Sequence, residues 1–277
     1  MFDELIAKLI LLKRSFAKKY SGSAHIQEIL PTSSSNEINI DDNHLQILHD
    51  FANKNPIYFN SYDEKIDGVN CTVYEGDINE YWLNSIKHGS SCQPFYPTWI
   101  VSAYILTLIS QHLGYKELID IGSGDGRIAF CSSFLGLNSH SFEIDEGLVE
   151  LQKIISKKTN NFFYPQCKDA LELDFSELNF EKPIFFIGGL PQMGGDILAT
   201  SIIKKIKNNP KISHNIGMVF AGTNSRRQLA SNTNNGGWNS LVEKYNLDIF
   251  DCVSLPTVWT FDQESETPYI YSKFRQL

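Results

Sequence analysis

The rhythm of apolar and polar positions changes near residue 98. Beyond that point short apolar runs alternate with longer amphipathic stretches. The pattern predicts a helix over 98–112, a strand over 117–121 and, after a glycine-rich turn, a helix over 127–135. It continues with a strand over 139–144, a helix over 146–158 and a strand over 161–167. A strand over 183–187, a helix over 196–207 and a strand over 216–221 follow. Strands and helices alternating at this spacing mean right-handed βαβ units and a parallel sheet covered on both faces. The last two runs, LDIFDCVSL and PYIYSKF, have only a loop between them, which predicts a terminal antiparallel hairpin.

The first 94 residues read differently. Phe2, Leu5, Ile6, Leu9, Leu12 and Phe16 recur at helical spacing with Asp3, Glu4, Lys8 and Arg14 between them. This is an amphipathic helix, expected to dock on the body of the protein or on a partner. Its early acids and the interrupting Lys8 do not suit a secretory leader. Residues 20–43, rich in Ser, Asn and Asp, read as a linker on the surface. Residues 44–88 alternate short helical and strand-like pieces, a small α/β cap. The expected organisation is therefore a mostly helical extension over 1–94 and a second domain over 95–277. A stretch from Gly89 to Tyr115 carries no charge, but Pro97, Thr98, Ser102 and Thr107 punctuate it. A membrane span needs about 20 mostly apolar residues. The stretch reads instead as a loop entering a buried helix, with Thr98 as its N-cap.

Composition narrows the classes. With 277 residues, 42% of them hydrophobic, the chain can bury a large core. Its formal charge of -8 argues against nonspecific nucleic-acid binding, which depends on Lys and Arg meeting phosphates. Between 36 and 90 ten acidic residues face three basic ones. The five cysteines form neither a CxxC nor an even framework, which suits a reducing, cytoplasmic setting. No cluster of His, Cys, Asp or Glu has the spacing of a metal site.

The candidate chemistry starts in ELIDIGSGDGR. Asp120, Gly122, Ser123, Gly124 and Gly126 lie between a strand and a helix, where the chain turns sharply and backbone can approach a ligand without Cβ atoms in the way. In an open α/β sheet this turn sits at the carboxyl edge, beside the switch point where ligands bind. A dinucleotide fingerprint would need a third glycine where Arg127 stands. An acid at 120 would repel a pyrophosphate and suits a cationic ligand. Glu143 ends the next strand, 17 residues after Gly126, placed to accept hydrogen bonds from two ribose hydroxyls. Asp169, followed by Ala170, comes after the third strand, placed to accept from an adenine amino group.

DIGSGDGR, FEID and KDALELDF together resemble the successive cofactor motifs of class I S-adenosylmethionine-dependent methyltransferases. The resemblance covers roughly residues 95–277 and implies a Rossmann-like seven-stranded sheet, order 3-2-1-4-5-7-6, with the last strand antiparallel. It implies S-adenosylmethionine as cofactor and S-adenosylhomocysteine as product, with Asp120 near the methionine amino group, Glu143 on the ribose and Asp169 at the adenine. YPTWIV, one helix before the turn, is similar to the P-T loop of small archaeal Dot1-like protein-lysine methyltransferases. That likeness implies that Tyr96, Pro97, Thr98 and Trp99 close over the cofactor.

Methyl transfer asks mainly for positioning and exclusion of water. Many amino-group methyltransferases carry Asn/Asp-Pro-Pro-Tyr after the fourth strand; this chain has Gly188-Gly189-Leu190-Pro191-Gln192 there. The acceptor and the stacking ring that grip a base are missing, so a nucleobase is a poor fit. Gln192 can orient an acceptor through its carbonyl, and Tyr96 is the second candidate at the transfer step. Tyr81 and Trp82 are candidates for lining the acceptor site or, on a half-buried helix, for the core. The expected partner is a methyl acceptor, a lysine on a basic protein drawn by the acidic region, with no nucleic acid and no membrane. A small-molecule methyltransferase with the extension as lid, and a non-catalytic cofactor-binding module, are the alternatives.

Overall fold

Seven strands form the main sheet, and their sequence explains their place in it. The computed structural model describes residues 2–85, 94–175, 180–209, 215–223, 234–257 and 266–275. Strands β4 (Glu117–Ile121), β5 (Asn138–Glu143), β6 (Tyr164–Cys167), β7 (Pro183–Ile187) and β8 (Gly217–Ala221) run parallel. β9 (Leu247–Pro256) and β10 (Glu266–Phe274) complete the order β6-β5-β4-β7-β8-β10-β9, with β10 antiparallel to both its neighbours. In order of appearance along the sheet's strands this is the expected 3-2-1-4-5-7-6.

The central strands are apolar on both faces because helices cover both. Leu118, Ile184 and Val219 point to one core, shared with α4 (Ile100–His112), α5 (Arg127–Phe134) and α6 (Glu146–Thr159). Ile119, Ile121, Phe185 and Phe220 point to the other, beneath α7 (Gly195–Lys207) and α8 (Asn239–Tyr245).

The extension is built from α1 (Asp3–Lys19), β1 (Ile26–Pro31), α2 (Asp42–Lys54), β2 (Tyr58–Ile66), β3 (Val69–Gly76) and α3 (Asn79–Ser85). α1 docks on the body, burying Leu9, Leu12 and Phe16, with Phe2 edge-on to His112 and Arg14 paired with Glu266 at 2.5 Å. β2 and β3 turn through Asp67 and Gly68, both at positive φ, as a two-residue hairpin requires.

Two expectations are corrected. The segment 20–43 is not simply a surface linker: Ile26–Pro31 is a strand, buried along its whole length and paired antiparallel with β3. Thr98 is not the N-cap of α4. The helix starts at Ile100 after Trp99, whose side chain makes no capping bond. The Ile100 N–H is satisfied by the Glu28 carboxylate at 2.9 Å, a donor-to-charge bond that replaces a local cap. One hydrophobic core runs from the extension into the first face of the sheet, with Phe51 of α2 against Phe130 of α5, ring centroids 4.8 Å apart.

Candidate functional site: a cavity at the carboxyl edge of the sheet

β4 and β7 end side by side, and the chains leaving them open a cavity of about 650 Å³. Its walls come from the turn after β4, the ends of β5 and β6, the loop after β7 and the segment Pro94–Trp99. Asp120, Gly122, Ser123, Gly124, Glu143, Asp169, Ala170, Tyr96 and Thr98 all line it. Gly126 does not; it caps α5 in the left-handed region, and a Cβ there would meet the Gln152 side chain at 2.9 Å. Gly124 also has positive φ, and a Cβ on it would meet the Phe95 ring at 2.6 Å. The turn and the aromatic segment above it therefore approach as closely as glycine permits.

The carboxyl groups differ in what holds them. Asp120 is buried, with no hydrogen-bond partner on Oδ2 among the described residues. Burial pushes its pKa up to about 8; the Ala129 amide in the first turn of α5 pulls it down, and the Glu143 and Asp125 charges push it up. Glu143 accepts from Gly124 N–H at 2.8 Å on Oε2 and from the Ile144 and Asp145 N–H groups at 2.8 and 3.1 Å on Oε1. Burial raises its pKa and these three amides draw it back. A carboxylate has about four lone-pair sites. Three are taken, so Glu143 has room for one further donor, where the sequence suggested two. Asp169 accepts from Leu171 N–H at 2.8 Å. The Ser123 hydroxyl is held by Ser141 at 2.7 Å and by Gln152 at 2.9 Å.

The aromatic segment forms one wall. Phe95 and Trp99 are buried and Tyr96 is 38% exposed. Trp99 lines the cavity, and its indole Nε1 has no partner among the described residues. Phe186, Leu190, Leu198, Val219 and Tyr269 add an apolar and aromatic surface to the lining. The Tyr269 hydroxyl donates to Thr98 Oγ1 at 3.2 Å. Tyr81 and Trp82 do not line the cavity; Tyr81 packs edge-on against Phe95, centroids 6.4 Å apart. Gln192 sits in the short 3-10 turn Pro191–Met193, and its side chain lies outside the described part of the structure.

Sequence reasoning missed the group behind the turn. Arg127 is buried, and its Nε and Nη2 donate to Asp125 at 2.8 and 2.5 Å. Its Nη1 donates to Glu28 Oε1 at 2.6 Å and to the Thr98 carbonyl. Asn55 donates to Asp125 Oδ2 at 2.9 Å, and Tyr58 donates to Glu28 Oε1 at 2.7 Å. Burial pushes the Glu28 carboxyl up while Arg127 beside it pulls it down. The Arg in DGR was the signal: a buried guanidinium opening a helix needs carboxylate partners, here Asp125 of the turn itself and Glu28 from the extension.

No protein-family model matches the chain, and no curated protein matches it. Solved structures of similar fold include magnesium protoporphyrin IX methyltransferase from Synechocystis PCC 6803 with bound SAM. That match has 10% identity over 64% of this chain and 78% of that one, TM-score 0.47. Another is the Pyrococcus abyssi tRNA (uracil-54, C5)-methyltransferase with S-adenosyl-L-homocysteine, at 15% identity over 65% of this chain and 40% of that one, TM-score 0.46. A Thermoplasma acidophilum protein matches at 15% identity over 72% of this chain and 98% of that one, TM-score 0.45. These are likenesses of chain path and assign neither substrate nor activity. Among the described residues no helix is long and apolar enough to cross a membrane.

Proposed function

We propose that the chain is an S-adenosylmethionine-dependent methyltransferase. The observation that carries this is the meeting, in one cavity at the carboxyl edge, of Asp120, the glycine turn, Glu143 and Asp169. Asp120 offers a buried, unpartnered oxygen to a cationic amine, whose charge would favour the ionised carboxylate. Gly124 lets the Phe95 ring close down on the turn, where a Cβ would stand 2.6 Å from it. Glu143 has one lone-pair site for a ribose hydroxyl, and Asp169, which lines the same cavity, can accept from an adenine amino group. The residues present thus suit S-adenosylmethionine, which supplies an electrophilic methyl group on a sulfonium.

The chain's own part in the reaction is to hold and to exclude. Phe95, Tyr96 and Trp99 cover the turn, keeping water from the reacting centre. The apolar wall of Phe186, Leu190, Leu198, Val219 and Tyr269 favours a neutral over a charged acceptor, lowering the pKa of an entering amine. This supports a lysine amine on a basic protein as acceptor, steered by the acidic extension. The Gly188–Gln192 segment, without a stacking ring, disfavours a flipped base. Incubation with methyl-labelled cofactor and a lysate tests this. Label in lysine after hydrolysis supports the protein substrate; label only in RNA or in small molecules rejects it. No transfer to any fraction, with cofactor bound, favours the non-catalytic module.

A further inference from the structure

Glu28 has no exposed surface, and both its oxygens are used by groups that border the cavity or lead into it. Oε2 accepts the Ile100 N–H at 2.9 Å, fixing the point where the covering segment Pro94–Trp99 passes into α4. Oε1 accepts from Arg127 at 2.6 Å, the residue that follows the glycine turn. The same Arg127 Nη1 reaches the Thr98 carbonyl, so turn and covering segment meet on one guanidinium whose counter-charges are Asp125 of the turn and Glu28 of β1. Asn55, at the end of α2, and Tyr58, in β2, complete the set from the extension. Asp125, Arg127, Thr98 and Trp99 line the cavity; no residue of Ile26–Pro31 does.

Resting on the S-adenosylmethionine reading above, we propose that Glu28 is a positioning residue of the cofactor cavity. It holds the covering segment and the glycine turn in one fixed relation. Cofactor binding and the packing of the N-terminal extension are then coupled, and by linkage each strengthens the other. The extension is in this account a fixed part of the site and not a lid that opens. A salt bridge that only stabilised the fold would leave the affinity of the folded protein unchanged, which separates the two roles.

Hydrogen exchange on the full chain, with and without S-adenosylhomocysteine, reads the coupling directly. Exchange should slow at the amides of residues 95, 96 and 98–101 and also at those of residues 26–30 in β1, which do not touch the cavity. In parallel, calorimetry on Glu28→Gln and on the milder Tyr58→Phe should show affinity for S-adenosylhomocysteine reduced by about tenfold for Glu28→Gln, with a native circular dichroism spectrum. Tyr58→Phe, which keeps the ring and the Glu28–Arg127 pair, should show a smaller loss. Should Glu28→Gln fail to fold, Tyr58→Phe and the wild-type exchange decide alone. Tight binding by the wild type with exchange unchanged in Ile26–Pro31, and wild-type affinity in the folded variants, would overturn the coupling while leaving the cofactor reading intact. No binding by the wild type would remove that reading and this inference with it.

Discussion

Gly188 lies directly against Gly122. Its N–H donates to the Ile121 carbonyl at 2.7 Å, and a Cβ at 188 would stand 2.7 Å from the Gly122 carbonyl oxygen. The loop after β7 thus leaves its strand by pressing backbone on backbone against the glycine turn, a contact no side-chain movement can relieve. Gly188→Ala should displace one loop from the other and destabilise the protein by about 1–3 kcal/mol, the cost of overpacking a tight site. Urea denaturation checks the stability. Unchanged stability would mean that the two loops are not in firm contact.

Arg127 and its two carboxylates, Glu28 and Asp125, are buried together. Arg127→Ala leaves Glu28 and Asp125 buried without their cation, which should cost about 3–5 kcal/mol of unfolding free energy. Chemical denaturation measures it. A loss below about 1 kcal/mol, the range of an exposed pair, would show that water reaches this group.

Asp120 carries a pH dependence of definite sign. Its pKa rises from 3.8 in the unfolded chain to about 8 in the fold. Between these values the native state holds a proton that the unfolded state has lost, so this group's contribution to stability falls as pH rises through the window. Asp120→Asn removes that titration. The melting temperature of the variant relative to wild type should therefore climb from about pH 5 to about pH 8. A difference that stays constant over that range would contradict the buried, unpartnered state of the carboxyl. The same variant should bind S-adenosylmethionine more weakly while keeping its affinity for 5′-methylthioadenosine, which lacks the amino-acid portion.

Glu143 is tied to three backbone amides as well as facing the cavity. In Glu143→Gln the amide nitrogen must face at least one N–H donor that the carboxylate accepts. Cofactor affinity should fall by about 1–3 kcal/mol, the range for a disrupted buried hydrogen bond, as read by calorimetry. An unchanged dissociation constant would remove Glu143 from the binding wall.

The parallel sheet was legible because its central strands β4, β7 and β8 are apolar runs and the helices α6 and α7 between strands are amphipathic; β4 and β7 begin and end where ELIDI and PIFFI do. The turn was legible because three glycines at alternate positions serve little else. β1 was not. IQEILP is buried on every residue, so it shows no alternation, and its Gln and Glu disguise it among polar neighbours. Glu28 was unreadable for the same reason: the charge that makes its burial tolerable stands 99 positions away. The start of α4 was misplaced because Thr98 looks like a cap, whereas the cap is this distant carboxylate.

The central claim is that the cavity takes S-adenosylmethionine. Isothermal titration of the full chain with S-adenosylmethionine, S-adenosylhomocysteine and NAD tests it most directly. The account expects saturable one-site binding of the first two, with none for NAD. Binding of NAD, with no heat from either sulfur cofactor, would contradict it.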